Sequence, residues 1–161
     1  MKKKTISISC IIMLMVCMLG VTLNVSANED LPQVDGSYLT NETESVGYDT
    51  KITRGDDLLT GYSKIAIRPN GSLYVGGSTI AAHTVDRIGV GVVVERCQGE
   101  DDSWDVYSLD FVWSEFRENA DMLSTWREIE NPEGGYYYRV TCVHSAGNDM
   151  SSSFTDGLYV E

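Results

Sequence analysis

The chain has 161 residues, with 24 acidic and 12 basic side chains and a formal net charge of −12. This acidity argues against nucleic acid and anionic membrane surfaces as partners, because both require basic patches to neutralise phosphate. The length suits one domain that buries its own core.

The N-terminus has the three parts of a secretory signal. Residues 1–27 read "MKKKTISISCIIMLMVCMLGVTLNVSA", with three lysines, an apolar run and a small-residue ending, which favours export and cleavage after Ala27. Two alternatives are an uncleaved anchor, since the uncharged stretch from Thr5 to Asn28 is long enough to span a bilayer, and a lipobox at Cys17. All 24 acidic but only nine basic residues follow Ala27, so the mature chain carries −15.

Export also determines how the cysteines are interpreted. Cys10 and Cys17 leave with the signal, so the mature chain keeps Cys97 and Cys142. Two cysteines in an exported chain most often pair, which predicts a Cys97–Cys142 disulfide that stabilises by about 4 kcal/mol in the chain-entropy model. Two reduced thiols are the alternative.

A polar segment separates the signal from the folded part. Residues 28–48, "NEDLPQVDGSYLTNETESVGY", are acidic and poor in branched apolar side chains. This composition predicts a flexible acidic leader. The domain is then expected to occupy residues 49–161.

The domain opens with strand patterns. "YSKIAIR" alternates with Ser63, Ile65 and Ile67 on one face, and the turn "PNG" leads into "SLYVGG", which predicts a hairpin. "RIGVGVVVERC", residues 87–97, is the longest apolar strand. Its inward face is predicted to hold Ile88, Val90, Val92 and Val94, while Gly89 and Gly91 on the other face indicate a bulge or a close approach.

The second half continues with strands and turns. "WDVYSLDFVW" alternates with period two, "YYYRVTCVHS" follows the turn at residues 131–135, and "FTDGLYV" ends the chain. Residues 114–130 are compatible with an edge strand or with a helical turn or two, and we favour the strand. About seven to eight short strands without alternating helices predict an all-β fold, an antiparallel β-sandwich or flattened barrel.

Cys142 and His144 could be a catalytic pair or part of the structural core. Residues two apart in a strand share a face, so these two lie with Tyr136, Tyr138 and Val140. Those apolar neighbours suit a buried disulfide, whereas a catalytic cysteine requires an exposed, electropositive setting. A Cys-His pair is geometrically allowed, but we predict no catalytic residue.

Metal, cofactor and standard catalytic motifs are missing. The mature chain has only His83 and His144, without H-E-x-x-H or clustered cysteines, and no G-x-S-x-G, P-loop or dinucleotide motif is present. The acidic turn "EDDSWD" lacks the spacing of an EF-hand loop, so we interpret it as a solvated turn. The sequence therefore predicts no metal and no cofactor.

Aromatic side chains are the remaining functional signal. Trp104, Tyr136, Tyr137 and Tyr138 are candidates for stacking against a ligand such as a sugar, because three consecutive tyrosines put a ring on each face of a strand. The alternative is that these rings fill the core.

The order of segments carries a resemblance to a family of secreted proteins. "GYSKIAI", "SWDVYSLDFVWS", "GGYYYRVTCVHSAG" and "SFTDGLYV" resemble an uncharacterised family of small secreted proteins of Gram-positive bacteria, over roughly residues 49–161. The resemblance implies export and a β-rich domain, without an activity, cofactor or catalytic residue.

Two functions stay open from the sequence. The first is a secreted, non-enzymatic protein that binds an envelope or extracellular partner, such as a cell-wall glycan or a protein, with no membrane association after cleavage. The second is a small secreted enzyme or bacteriocin-like effector. An enzyme predicts a cleft that holds His83 or His144 close to an acid and a nucleophile.

Overall fold

The computed structural model describes residues 37–49, 55–99 and 102–161. These residues form nine strands in one sheet and a short 3-10 turn at Leu109–Phe111. The strands are β1 (Leu39–Thr40), β2 (Glu44–Tyr48), β3 (Leu58–Ile67), β4 (Leu73–Cys97), β5 (Asp105–Val106), β6 (Val112–Ile129), β7 (Tyr136–Ala146), β8 (Asp149–Phe154) and β9 (Gly157–Val160). The prediction of an all-β fold is confirmed.

The long strand β4 organises the sheet. Its first part, up to Ala81, pairs with β3, and its last part, from Ile88, pairs with β7 on the same edge. β6 runs antiparallel to β4 along the opposite edge, with an irregular register between Ile80 and Val85. Such an irregularity bends a strand pair, so the β4–β6 ribbon passes from one part of the sheet to the other.

The curled sheet folds over itself into two layers. Layer A contains β2, β3, the first part of β4 and the last part of β6; layer B contains the other strands and the remaining parts of β4 and β6. A Cβ atom added to Gly77 in layer A would lie 2.5 Å from Sγ of Cys142 in layer B, so the layers are in close contact. Because β1 and β9 pair in parallel, the sheet is mixed rather than fully antiparallel as predicted.

The core lies between the layers. Ile88, Val90, Val92 and Val94 of β4 are fully buried, which confirms their predicted shared inward face. Burying a side chain of this size contributes about 1.5–3 kcal/mol. The fully buried apolar side chains that surround them are Ile65, Leu73, Val75, Tyr138, Val140, Cys142, Ala146 and Leu158.

The folded part begins earlier than the sequence predicts. β1 and β2 lie inside the predicted leader, residues 28–48, and pair with β9 and β3. Asp156 fixes this segment, because its carboxylate accepts from the Tyr38 backbone N–H at 3.0 Å and its own N–H donates to Ser45 Oγ at 3.0 Å. Short edge strands need little apolar area, so composition misled the prediction. The predicted signal, residues 1–27, lies outside the described residues.

Several predicted strand boundaries change. "SLYVGG" and "RIGVGVVVERC" belong to the single strand β4, and "WDVYSLDFVW" divides into β5, the 3-10 turn and β6. Ser108 caps that turn through the Asp110 backbone N–H. At the chain end, Thr155 and Asp156 separate β8 from β9. The strand favoured for residues 114–130 is confirmed as part of β6, which pairs with β4.

Candidate functional site

The aromatic residues singled out by the sequence do not form one surface. Tyr138 is fully buried, and its hydroxyl donates to the Glu133 carbonyl at 2.8 Å, so it cannot stack against a ligand. Tyr136 contacts Tyr138 edge to face on the inner side of β7, whereas Tyr137 faces outward against Tyr159. Trp104 carries the Arg139 guanidinium over its ring at 4.3 Å. Because Tyr138 is buried and Tyr136 and Tyr137 lie on opposite faces of β7, the four residues do not form the single platform that the sequence suggested.

A different set of rings forms a continuous row on the outer face of layer A. Its members, here called the aromatic stripe, come from four adjacent strands: Tyr48 of β2, Tyr62 of β3, Tyr74 of β4 and Trp126 of β6. They face outward because they alternate along their strands with buried side chains. Tyr48 is 69% exposed, and the other three rings are half-buried.

The strand register spreads the stripe over three successive rows of paired residues. Tyr48 lies opposite Tyr62, and Trp126 lies opposite Gly76, two residues along β4 from Tyr74. Ring centroids are 6.1 Å apart for Tyr48 and Tyr62, 6.3 Å for Tyr62 and Trp126, and 5.2 Å for Trp126 and Tyr74. These separations fall in the range of direct aromatic contact. The four rings therefore form one connected surface.

Gly76 makes the stripe continuous. A Cβ atom at this position would lie 2.5 Å from Cε3 of Trp126 and 2.1 Å from the Thr125 carbonyl oxygen. The missing side chain lets the indole ring lie across the β4 backbone, where it reaches both Tyr62 and Tyr74. A larger residue would separate the two halves of the row.

Polar side chains border the stripe on both sides. On one side the Lys64 ammonium contacts the Glu44 carboxylate at 2.9 Å. On the other side the hydroxyls of Ser78 and Ser124 are 2.5 Å apart. At one end Arg68 lies over the Tyr74 ring, 4.4 Å from its centroid. The stripe is therefore one ring wide, with hydrogen-bonding groups along its length.

The sequence contains part of the pattern that brings the stripe residues together. The alternation in "YSKIAIR" places Tyr62 and Lys64 on the face opposite Ile65. The predicted hairpin then brings that face beside Tyr74. Trp126 could not be added, because its register against Gly76 depends on pairing between distant segments.

The two histidines occupy different environments. His83 is exposed and lies 3.1 Å from an oxygen of Asp57. His144 is fully buried between the layers, with Nδ1 2.9 Å from Thr79 Oγ1 and Nε2 2.8 Å from Ser153 Oγ. His144 therefore lies beside two hydroxyl groups, as a catalytic base would, but it is inside the core rather than in a cleft.

The hydrogen bonds around His144 define its protonation. Thr79 Oγ1 donates to the Gly89 carbonyl at 2.9 Å, so it accepts from Nδ1–H of His144, and Nε2 then accepts from Ser153. The ring is neutral, and burial lowers the pKa of His144 to about 4 against an opposing effect of Asp49. Thr79, His144 and Ser153 thus form a buried chain from β4 through β7 to β8. All three side chains are nearly inaccessible to solvent, so a substrate could not reach them. The chain therefore has a structural role and links three strands of the core.

The predicted disulfide is wrong in this fold. Cys142 lies opposite Val92 on the inner face of β7, whereas Cys97 lies opposite Tyr137 on the outer face. Five positions along the ladder separate them by about 17 Å, far beyond the Cα separation of about 7 Å that a disulfide tolerates. Burial raises the pKa of the Cys142 thiol, which makes it an inert core residue.

Peptide mapping of the unreduced protein tests the cysteine assignment. We expect no crosslinked peptide that contains both Cys97 and Cys142, and we expect Cys142 to resist alkylation until the protein is unfolded. Mass spectrometry after alkylation in native and denaturing buffer measures both. A Cys97–Cys142 peptide would contradict the strand register described above.

A shallow cavity of about 250 Å³ adjoins Cys97 on the outer face of layer B. It is lined by Ser37, Tyr38, Leu39, Cys97, Gly99, Asp102 and Trp104. The Asp102 carboxylate accepts from the backbone N–H groups of Gln98 and Ser103, so it holds the turn between β4 and β5 together.

Within residues 37–49, 55–99 and 102–161, no group of three or more His, Cys, Asp or Glu side chains is arranged to hold a metal ion. In the same part of the chain no helix has the length and apolar character needed to cross a membrane.

No protein-family model matches the chain, and neither a curated protein nor a solved structure matches it. Function therefore has to be inferred from the geometry of the described residues, among which the aromatic stripe is the most prominent surface feature.

Proposed function

We propose that this is an exported, non-enzymatic binding protein that holds a cell-envelope or extracellular partner on the aromatic stripe. The observation that carries the proposal is the unbroken contact of Tyr48, Tyr62, Trp126 and Tyr74 across four strands of an outer sheet face. Export rests on the signal predicted for residues 1–27.

The composition of this face supports a binding role. The outer face of a sheet is ordinarily polar where it meets water, yet here the exposed side chain of Val46 lies beside the aromatic stripe, two residues from Tyr48 on the same face of β2. A contiguous exposed apolar surface rimmed by polar groups marks interaction sites. Tyrosine and tryptophan are also the residues that most often carry binding energy.

Retention on cell walls tests the proposal. We expect protein produced from the full-length chain to co-sediment with purified Gram-positive cell walls, and we expect Trp126→Ala to reduce its affinity about tenfold, which corresponds to about 1.4 kcal/mol. The indole contacts two of the other three rings, so its removal interrupts the row in the middle. Sedimentation over a range of wall concentrations gives the affinity.

Phe116→Ala is the matched control. Phe116 is also an outward ring, 38% exposed, with the Arg87 guanidinium 4.2 Å from its centroid, but it lies on layer B. Its removal should leave retention unchanged. Equal losses in the two variants, or no loss in Trp126→Ala, would overturn the assignment of binding to the stripe.

A further inference from the structure

The geometry points to a linear, uncharged polysaccharide as the ligand of the aromatic stripe. This inference rests on the proposed function and adds the chemical class of the partner. It is drawn from the width of the stripe, the charge around it and the hydrogen-bonding groups at its borders.

The width of the stripe suits a chain rather than a broad surface. In the register of layer A, Tyr48 and Tyr62 share one row of paired residues, Trp126 lies in the next row and Tyr74 in the one after it. Across the strands the row runs from β2 through β3 to Trp126 of β6 and returns to β4 at Tyr74, so the rings form one bent line. A stable protein interface buries roughly 800 Å² on each partner around an apolar centre, whereas a line one ring wide fits the successive units of a single polymer chain.

Aromatic rings in such a line suit sugars. The axial C–H groups of a pyranose form an apolar face that packs on an aromatic ring, and rings in mutual contact can engage successive units of one chain. Trp126 occupies the centre of the line, between Tyr62 and Tyr74. Its large face is therefore expected to contribute most to stacking.

The charge around the stripe is balanced. Among described residues at its borders, Lys64 and Arg68 are basic, and Glu44 and Glu128 are acidic, so the four cancel. The whole chain, in contrast, has a net charge of −12. A polyanion would be repelled by that overall field, and a polycation would find no local excess of negative charge at the stripe. An uncharged ligand fits both observations.

The borders supply groups that can bind hydroxyls. The Lys64–Glu44 pair offers donors and acceptors on one side, and on the other side the half-buried Ser124, whose hydroxyl is bonded to the buried Ser78, offers a hydroxyl. Sugar hydroxyls can act as both donor and acceptor, so they can bond to either border while the ring faces stack. Polar groups on both sides of an aromatic centre fix the orientation of a ligand that is otherwise held by apolar contacts.

Calorimetric titration with defined oligosaccharides tests the inference. The probes are cello- and chito-oligosaccharides from dimer to hexamer, added to protein produced from the full-length chain. We expect affinity to rise with each added sugar until the oligosaccharide is as long as the stripe and then to level off. Trp126→Ala should weaken binding of the longest oligosaccharide about tenfold, and Phe116→Ala should leave it unchanged.

The outcomes separate the inference from the proposed function. If Trp126→Ala loses retention on cell walls while none of the neutral oligosaccharides binds, the stripe is a binding surface but its ligand is not a neutral polysaccharide. Binding of teichoic acid fragments in place of the neutral probes would likewise overturn the inference and leave the proposed function standing. If Trp126→Ala changes neither retention nor titration, the proposed function and the inference both fail.

Discussion

Replacing His144 by alanine is expected to destabilise the protein by about 3–5 kcal/mol, the usual cost of removing a large buried ring. The imidazole fills space against Gly61, where an added Cβ would lie 2.2 Å from the ring, so its removal leaves a cavity between the layers. Ser153 also loses its acceptor and Thr79 loses a donor. Chemical denaturation of the wild-type protein and the variant measures the difference.

His83→Ala provides the matched control for this substitution. The His83 ring is exposed and contacts Asp57 at the surface, so its loss should cost less than about 1 kcal/mol. A His144→Ala variant as stable as His83→Ala would show that the buried chain contributes nothing to the fold. Since small domains have a net stability of only about 5–15 kcal/mol, the expected loss is a large fraction of the total.

Stability is also expected to fall by about 2 kcal/mol between pH 6.5 and pH 5 because of His144. Burial lowers the pKa of this group from 6.5 to about 4, so in that interval the unfolded chain binds a proton that the folded protein does not. The free energy of unfolding therefore rises with pH over this range. The stability linked to His144 is fully present above pH 6.5 and is lost as the pH decreases.

A variant without the His144 ring separates the effect of this histidine on the pH dependence of stability from the effect of the carboxylates. His144→Asn lacks the titrating ring, so its stability should change less between pH 6.5 and pH 5 than that of the wild-type protein. Urea denaturation at several pH values measures the slopes. Parallel slopes in the wild-type protein and His144→Asn would mean that His144 is readily protonated in the folded state.

The alternation of side chains along strands predicted much of the fold. The pattern in "RIGVGVVVERC" placed Val90 and Val92 inside, and the structure buries both. The same alternation of inward and outward side chains argues against the Cys97–Cys142 disulfide. Cys97 is an odd number of positions from Val94 and thus points outward, whereas Cys142 is two positions from Val140 and points inward. The predicted disulfide rested instead on the cysteine count of a chain expected to be exported.

Pairing between distant segments could not be predicted from the sequence. The leader looked unstructured because its side chains are polar, yet β1 and β2 are held by backbone hydrogen bonds to strands that come later in the chain. The aromatic stripe has the same origin. Tyr74 and Trp126 are 52 residues apart and meet only through the β4–β6 register. The tyrosine cluster at residues 136–138 is more conspicuous in the sequence, but Tyr138 is buried and its two neighbours lie on opposite faces of β7.

Mapping of ligand contacts by nuclear magnetic resonance tests the binding surface most directly. Aromatic and backbone resonances of the labelled protein would be followed during titration with chitohexaose. We predict that resonances of Tyr48, Tyr62, Tyr74 and Trp126 shift with one common binding curve, while those of Phe116 on layer B stay in place. Shifts centred on layer B or on the cavity beside Cys97, with the four stripe residues unchanged, would contradict the assignment of binding to the aromatic stripe.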